Sequence, residues 1–240
     1  NGHVSYKAGR YYVSVTAEIE EMSRYNNDLE ASYHPQSGGI GVDLGVKSLA
    51  IVSDGRIFEN INTSSRARRL EKRLRREQRR LSRKYEMRKK KGGSTATASA
   101  NIAKKKLSVQ KLHQRLTHLR CNHENQVIHA LVEQKPRFIT VEDLNVTGMM
   151  KNRHLSKAVV QQRFYTFREK LRRKAEIIGI EVRIADRFYP SSKTCHACGH
   201  VHSGLKLKDR TYVCPACGYK KDRDFNAALN LRDTKNYRIA

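Results

Sequence analysis

Four of the five cysteines in this 240-residue sequence form two pairs with the spacing Cys-x2-Cys-x15-Cys-x2-Cys. A glycine follows each pair, which is typical of a tight knuckle whose backbone amides point at thiolates. Four thiolates complete a tetrahedral shell and leave no open position for chemistry, so we predict a structural zinc site. Two disulfides or a redox pair are the alternatives, and the matched set of pairs favours the metal. The predicted zinc ligands are Cys195, Cys198, Cys214 and Cys217.

Hydrophobic periodicity predicts an α/β domain with a mixed sheet around this site. The three strands predicted between residues 40 and 60 form a meander, in which Asp54-Gly55 suits a type I′ turn. The zinc segment then lies between the last strand and a terminal helix. The predicted elements are strands at 10–20, 40–45, 48–53, 56–60, 138–144 and 181–189, one long amphipathic helix at 157–179, and a terminal helix that begins near Asp224.

One stretch, residues 66–91, carries fifteen Lys or Arg and three Glu. Leucines recur in it at helical spacing, and a second helical pattern follows after a Gly- and Ser-containing tip, so we predict an antiparallel helical hairpin. The whole chain has a formal net charge of +26 and a pI of about 10.2. One-sided charge along a rod matches the phosphates of a nucleic acid better than a merely solvated surface. We therefore expect binding that weakens steeply as salt rises, and no membrane association.

The predicted nucleic-acid contacts lie mostly in this basic run, with two more near the zinc segment. They are Arg68, Arg69, Lys72, Arg73, Arg75, Arg76, Arg79, Arg80, Arg83, Lys84, Lys193 and Arg223.

Acidic residues stand out against this basic background. Asp43 shares its strand face with two glycines, which leave room for a metal and a phosphate. Either Glu142 or Asp143 can join that face, and strand alternation alone does not decide between them. Asp224 shares one helix face with Ala227 and two further small or apolar residues, so the helix can lie close to a sheet. Three carboxylates from two strands and a helix are the ligands that two-metal phosphodiester cleavage requires.

Each acid also has a purely structural interpretation. Asp43 could cap a strand end, Asp224 could be the N-cap of the terminal helix, and Glu142 could pair with an arginine. The occurrence of all three acids in this order favours the metal site.

The stretches GVDLGVKSLA, VEDLNVTGM and DRDFNAALNL, together with the cysteine pairs, resemble the RuvC motifs and zinc-ribbon insert of the TnpB family. These are transposon-encoded RNA-guided nucleases related to type V CRISPR effectors, and the resemblance runs from about Gly39 to Leu231. It implies an RNase H-like (RuvC) fold with catalytic residues Asp43, Glu142 and Asp224 and with catalytic magnesium beside the structural zinc. It thereby selects Glu142 over Asp143.

The resemblance also implies partners and a domain layout. A guide RNA and a target DNA are the expected partners, with the protein a monomer on its RNA in the prokaryotic cytoplasm near the nucleoid. We expect a RuvC domain at 39–190 and 221–240, a basic hairpin insert at 62–135 and a zinc ribbon at 191–220. We expect residues 1–38 to be a residual β-rich, wedge-like segment, since members of the family usually carry a longer N-terminal region before the nuclease core.

Two other functions use the same features. One is a nuclease-inactive, RNA-guided DNA-binding regulator, and the other is a DNA-binding protein of transposase type. The presence of all three acids argues against the inactive form, and no feature of the sequence signals the dimer that a transposase would need.

Overall fold

The computed structural model describes residues 2–16, 38–90, 96–206 and 208–240. It divides into two units, which are described separately. The helical unit comprises residues 1–20 and 61–123, and the sheet unit comprises residues 21–60 and 124–240. None of the described helices has an apolar stretch long enough to cross a membrane.

The helical unit begins with a two-stranded antiparallel hairpin of β1 (Gly2–Lys7) and β2 (Arg10–Val15). The strand predicted at 10–20 is thus observed as β2, while residues 17–20 lie outside the described residues. Strand β1 is an additional strand that alternation did not predict. Its Val4 and Tyr6 pair with Val13 and Tyr11 of β2.

Two long helices follow a short 3-10 turn at Ile61–Thr63: α1 (Ser65–Lys90) and α2 (Ala96–Val132). They form the predicted helical hairpin. Leucines of α1 pack on apolar side chains of α2 along a narrow seam, which comprises Leu70, Leu74, Leu81, Val109, Leu112 and Leu116. The buried Glu77 of α1 accepts hydrogen bonds from Lys105 at 2.7 Å and from Arg80 at 3.0 Å. The seam is thin because 17 of the 26 residues of α1 are charged.

The sheet unit is built on six strands in the order β10-β7-β6-β3-β4-β5. Strands β3, β6 and β7 run parallel, whereas β4, β5 and β10 pair antiparallel to their neighbours. This is the mixed sheet that the sequence predicts. The strands are β3 (Ile40–Leu44), β4 (Ser48–Val52), β5 (Ile57–Glu59), β6 (Phe138–Val141), β7 (Glu181–Ala185) and β10 (Tyr237–Ile239).

The turn between β4 and β5 is not the predicted type I′ turn. Type I′ needs positive φ at both central residues, but Gly55 has a φ of +96° and Asp54 is not among the described residues with positive φ. The loop has three residues instead, closed by bonds from Val52 N to Arg56 O at 2.9 Å and from Gly55 N to Val52 O at 2.9 Å. Asp54 accepts the Arg56 amide at 3.0 Å, which stabilises this longer loop.

Helices cover both faces of the sheet. One face of the sheet is continuously apolar and packs on Phe164, Phe167 and Leu171 of α5. The opposite face carries Gly41 of β3 and is covered by α6. The helices wholly within this unit are α3 (Val146–Lys151), α4 (Ser156–Gln162), α5 (Phe164–Ile178) and α6 (Arg223–Asp233), and the remaining strands are β8 (Thr211–Val213) and β9 (Lys220–Asp222). Residues 124–132, the C-terminal end of α2, also belong to this unit.

The single helix predicted at 157–179 is wrong, because the chain breaks at Arg163. This residue has a φ of +53° and separates α4 from α5. Before the break, Gln162 donates to the carbonyls of Gly45 at 3.0 Å and Val46 at 3.2 Å. After it, Arg163 forms an ion pair with the buried Glu124 at 3.4 Å. Tertiary contacts thus override a continuous helical pattern.

Helix α6 approaches β3 so closely that only glycine fits at position 41. A Cβ added to Gly41 would lie 2.0 Å from the carbonyl oxygen of Ala228 and 2.4 Å from the amide nitrogen of Arg232. Both atoms belong to the helix backbone, so they cannot yield as a flexible side chain would. Ala227, Ala228 and Leu231 of α6 are fully buried. The predicted role of the small alanines is confirmed, and Gly41 is their counterpart on the strand.

We expect Gly41→Ala to lower the free energy of unfolding by about 1–3 kcal/mol or more, because it forces α6 away from the sheet. Chemical denaturation of the purified chain measures this change. The matched control is Gly38→Ala, where an added Cβ meets nothing within 4 Å, and the change should not exceed about 1 kcal/mol. Equal stability changes in the two variants would contradict the close approach of α6.

Candidate active site

The strand register decides which acid of the Glu142-Asp143 pair faces Asp43. Strand β3 pairs in parallel with β6, and Gly41 lies opposite Thr140. Paired residues of parallel strands point to the same side, and side chains two residues further on return to that side. Asp43 and Glu142 are both two residues further on, so they share the face that α6 covers. Asp143 points away from it.

Asp224 reaches the same face from α6. It lies in the first turn of that helix, which packs over Gly41, two residues before Asp43 on the strand. Burial raises the pKa of the Asp43 carboxyl well above its ordinary value, and the charges of Glu142 and Asp224 raise this pKa further. The structure thus brings three acids that are far apart in the sequence within electrostatic reach of one another.

Glu142 is held by a neighbour that the sequence analysis did not identify. Ser191 donates a hydrogen bond from Oγ to Oε1 of Glu142 at 2.5 Å. Burial and the charge of Asp224 raise the pKa of Glu142, and the bond from Ser191 opposes them. The hydroxyl therefore favours the ionised form of Glu142, which is the form that binds a cation.

The helix N-cap and the arginine partner are residues next to the candidate acids, not the acids themselves. The N-cap of α6 is Asp222, which accepts from the amides of Asp224 and Phe225, each at 3.0 Å. The arginine partner is Asp143, which accepts from Arg168 at 2.7 Å. The carboxylate of Asp224 is consequently not used to cap the helix, and that of Glu142 is not used to bind Arg168.

Two arginines partly balance the acids. Arg223 is only 13% exposed, and its Nε and Nη2 lie 3.1 and 3.0 Å from Oδ1 of Asp224. Arg210 lies 3.6 Å from Oδ2 of the same residue. The predicted contact of Arg223 with nucleic acid stays a prediction, and its guanidinium lies at the acidic cluster.

The donor set suits a hard cation. Carboxylate oxygens are the ligands that magnesium prefers, and a bound cation would relieve the repulsion between three half-buried like charges. Among the described residues, the four cysteines form the group of metal-ligating side chains whose ligand atoms all lie within 4.8 Å of one another, and the three acids are not part of such a group.

The four predicted cysteines come together in the structure and could hold a metal ion. Sγ of Cys195 lies 3.7 Å from that of Cys217, and Sγ of Cys198 lies 3.6 Å from that of Cys214. A tetrahedral zinc ion about 2.3 Å from each sulfur separates the sulfurs by about 3.8 Å. The histidines nearby, His196, His200 and His202, are not members of this group.

Both knuckles have the geometry expected from their sequence. Gly199 and Gly218 have φ values of +75° and +73°, which L side chains rarely adopt. Their amides donate to the carbonyls of Cys195 at 2.8 Å and Cys214 at 3.0 Å. Burial disfavours ionisation of the Cys214 thiol, but hydrogen bonds from the amides of Cys217 and Ala216 and from the thiols of Cys217 and Cys198 together outweigh it and lower the pKa to about 6. A thiolate is the form that binds metal.

Two asparagines of α6 connect the cysteine segment to the acids. Asn230 donates from Nδ2 to the carbonyls of Ser191 and Thr194, each at 2.7 Å, and Asn226 donates to Thr194 at 2.8 Å. Both asparagines are buried. Sequence reasoning missed them, although two poor helix formers at i and i+4 within an alanine-containing helix are the signal that could have found them.

The basic residues predicted to contact nucleic acid lie as expected along α1. All ten predicted positions on α1 are exposed except Lys84, which is half-buried. Seven of the ten line one groove on its surface: Arg68, Lys72, Arg75, Arg76, Arg79, Arg80 and Arg83. Lys193 is exposed and lies within hydrogen-bond range of the Ser203 carbonyl, at 3.4 Å.

Two family models match the chain. Residues 23–153, more than half of the chain, match the family model OrfB_IS605, described as "Probable transposase", and residues 164–231 match the "Cas12f1-like, TNB domain". The "TnpB-like protein L79" of Acanthamoeba polyphaga mimivirus is 31% identical over 140 residues, which cover 53% of this chain and 25% of that protein. The chain belongs to the TnpB family.

Longer bacterial relatives extend this likeness. A protein of Streptomyces pristinaespiralis is 33% identical over 225 residues, covering 94% of this chain and 50% of the relative. A protein of Escherichia coli K12 is 29% identical over 246 residues, covering 96% of this chain and 55% of the relative. Both are named as candidate RNA-guided DNA endonucleases. The chain thus spans about half the length of these TnpB relatives.

Solved structures show the same fold as this TnpB chain. A Cas12f1 chain in complex with sgRNA and target DNA superposes with a TM-score of 0.55 at 16% identity, over 98% of this chain and 56% of that one. A CRISPR-Cas12f chain in a ternary complex superposes with a TM-score of 0.57 at 18% identity, over 94% of this chain and 42% of that one. These matches and the mixed sheet confirm the predicted RuvC-type α/β fold.

Proposed function

We propose that this chain is the nuclease part of a TnpB-type RNA-guided DNA endonuclease, and that Asp43, Glu142 and Asp224 are its catalytic residues. The observation that carries the proposal is the shared sheet face of the three carboxylates. The relatives named for this activity, in bacteria, support the substrate class. Guide RNA and target DNA are the proposed partners.

Magnesium is the proposed catalytic cofactor, held by Asp43, Glu142 and Asp224. When bound, it supplies charge neutralisation at the scissile phosphate and lowers the pKa of the attacking water. The chain itself orients the ligands. Ser191 fixes one oxygen of Glu142 and favours its ionised form, while Asp222 caps α6 so that Asp224 remains available to a cation. Arg223 offsets part of the negative charge of the cluster.

Zinc is the metal that we propose the four cysteines bind, and its role is structural. The cysteine segment enters through Ser191 and Thr194 and leaves through β9 directly into α6. Asn226 and Asn230 attach α6 to the entering segment. A closed zinc site therefore holds both the residue that orients Glu142 and the helix that carries Asp224.

The remaining proposals concern layout and nucleic-acid contacts. We retain the limits of 39–190 and 221–240 for the RuvC domain, 62–135 for the hairpin insert, 191–220 for the ribbon and 1–38 for the wedge-like segment. The exposed arginines of α1 bind phosphates of the guide RNA or its duplex, because like charges along one helix attract a polyanion. Lys193 and Arg223 are further proposed contacts.

We expect the purified chain to cut single-stranded DNA in magnesium, and each of Asp43→Ala, Glu142→Gln and Asp224→Asn to slow cutting at least about a thousandfold. A loss of about 4 kcal/mol of transition-state stabilisation gives this factor. Gel analysis of an end-labelled oligonucleotide, with and without RNA, measures the rates.

The matched control is Glu176→Gln, an exposed carboxylate of α5 paired with Arg172, which should change the rate less than twofold. Variants that cut as fast as the original chain would overturn the assignment. A chain that binds DNA but does not cut it, with or without RNA, would favour the inactive regulator.

We expect about one zinc per chain, and Cys214→Ser should reduce it to near zero because a structural site needs all four thiolates. Inductively coupled plasma mass spectrometry measures the content. Cys121→Ser is the control, since this half-buried cysteine of α2 is not part of the cluster. Unchanged zinc in Cys214→Ser, or none in the original chain, would count against the proposal.

A further inference from the structure

Phe188 is held in an unusually exposed position close to the candidate site. Its side chain is 87% exposed, although burying a phenylalanine side chain is worth roughly 1.5–3 kcal/mol. The turn that carries it is fixed by hydrogen bonds. The Phe188 amide donates to Oδ1 of Asp186 at 2.8 Å, the Tyr189 amide donates to the Asp186 carbonyl at 3.0 Å, and the Asp186 amide donates to the Asn236 carbonyl at 2.9 Å. These bonds hold the backbone at Phe188 in a turn from which the ring extends into solvent.

A groove runs from this ring along the carboxyl edge of the sheet. Phe188, Arg187 and Arg238 line a depression at the end of β7 and the start of β10. An adjoining depression is lined by Arg187, Glu142 and Tyr165. The two share Arg187 and Asp143, so they adjoin each other along the carboxyl edge of the sheet, on the side to which Asp143 points. We name the two depressions together the β7 groove. It lies at the carboxyl ends of β6 and β7, where open α/β sheets bind ligands.

The charge of the β7 groove suits an anion. Arg187 and Arg168 contact Asp143 at 2.9 and 2.7 Å, and Arg238 lies 4.0 Å from it. One carboxylate thus orients three guanidiniums, and Lys235 adds a further positive charge. Arg187 and Arg238 remain 52% and 63% exposed, so their outer N–H groups face solvent and can bind phosphates.

We propose that the β7 groove binds single-stranded DNA, with one base stacked on Phe188 and phosphates on Arg187 and Arg238. This rests on the proposed function, because the proposed catalytic residue Glu142 is among the residues that line the groove. An unpaired strand is the best occupant, since only an unpaired base offers its face to an aromatic ring, and ring stacking beside cationic side chains is how proteins hold single strands. A paired base would keep its faces inside the duplex stack.

The test is photocross-linking of a 12-nucleotide oligothymidylate that contains 5-iodo-deoxyuridine, mapped by mass spectrometry. The Asp43→Ala chain is used without magnesium, so the strand is not cut. We expect an adduct on Phe188, lost on competition with unlabelled oligothymidylate but retained against an abasic strand of equal length. Arg187→Gln combined with Arg238→Gln should lower its yield at least about fivefold, since each phosphate contact contributes to binding.

Tyr11 provides the internal control, because it is an aromatic residue of β2 that is 78% exposed. If exposure alone governs the reaction, Tyr11 labels as strongly as Phe188 and the proposal is overturned. A higher yield on Phe188 with an RNA oligonucleotide of the same sequence overturns the assignment to DNA.

Affinity gives a second readout. Anisotropy with fluorescein-labelled oligothymidylate at about 0.3 M salt suppresses the phosphate contribution and leaves stacking. Phe188→Ala should weaken this binding about 5- to 100-fold, as expected for loss of one stacked base, while Phe188→Trp keeps it. Ile57→Ala, at the opposite edge of the sheet, serves as the control and should leave it unchanged.

The two proposals can fail separately. An adduct on Phe188 in a chain that does not cut DNA removes the nuclease function and leaves the β7 groove as a single-strand site. Cutting that depends on the three acids, with no adduct on Phe188 and full affinity in Phe188→Ala, removes the groove and leaves the nuclease.

Discussion

The close approach of α6 to β3 is the contact on which the candidate site depends. Gly41 lets the backbone of the helix lie against the strand, and the fully buried Ala227 and Ala228 complete the contact from the helix side. Two residues along the strand lies Asp43, and one turn before Ala228 lies Asp224. A larger residue at either surface would separate the helix from the strand and the two carboxylates from each other. Backbone packing, rather than the acids themselves, creates the acidic cluster.

The acidic cluster is also attached to the cysteine cluster. Like charges at low exposure repel, as the raised pKa values of Asp43 and Glu142 indicate, so the fold must hold them by other contacts. Asn226 and Asn230 attach α6 to the segment that enters the cysteine knuckles, and Ser191 of that segment binds Glu142. The short distance in sequence between Cys217 and Asp224 thus has a physical reason, because the cysteine segment continues through β9 directly into the start of α6.

Much of this arrangement could be predicted from local patterns. Alternation located β3, β4, β5, β6 and β7, and cysteine spacing located the metal cluster, because both depend on residues close in sequence. The choice of Glu142 over Asp143 depends on the register between β3 and β6, which alternation within one strand cannot give, and only the family resemblance supplied it in advance. The break at Arg163 and the role of Ser191 likewise depend on partners more than thirty residues away in sequence. The predicted type I′ turn at Asp54 was wrong for a different reason, since a hydrogen bond to the Asp54 side chain favours a three-residue loop over a two-residue one.

The most direct measurement of the central claim is the anomalous scattering of manganese, used in place of magnesium, in crystals of this chain. If α6 delivers Asp224 to the face shared by Asp43 and Glu142, anomalous density will lie between the oxygens of all three residues. Manganese bound elsewhere, or no anomalous density between them while their carboxylates lie on separate surfaces, would contradict the account.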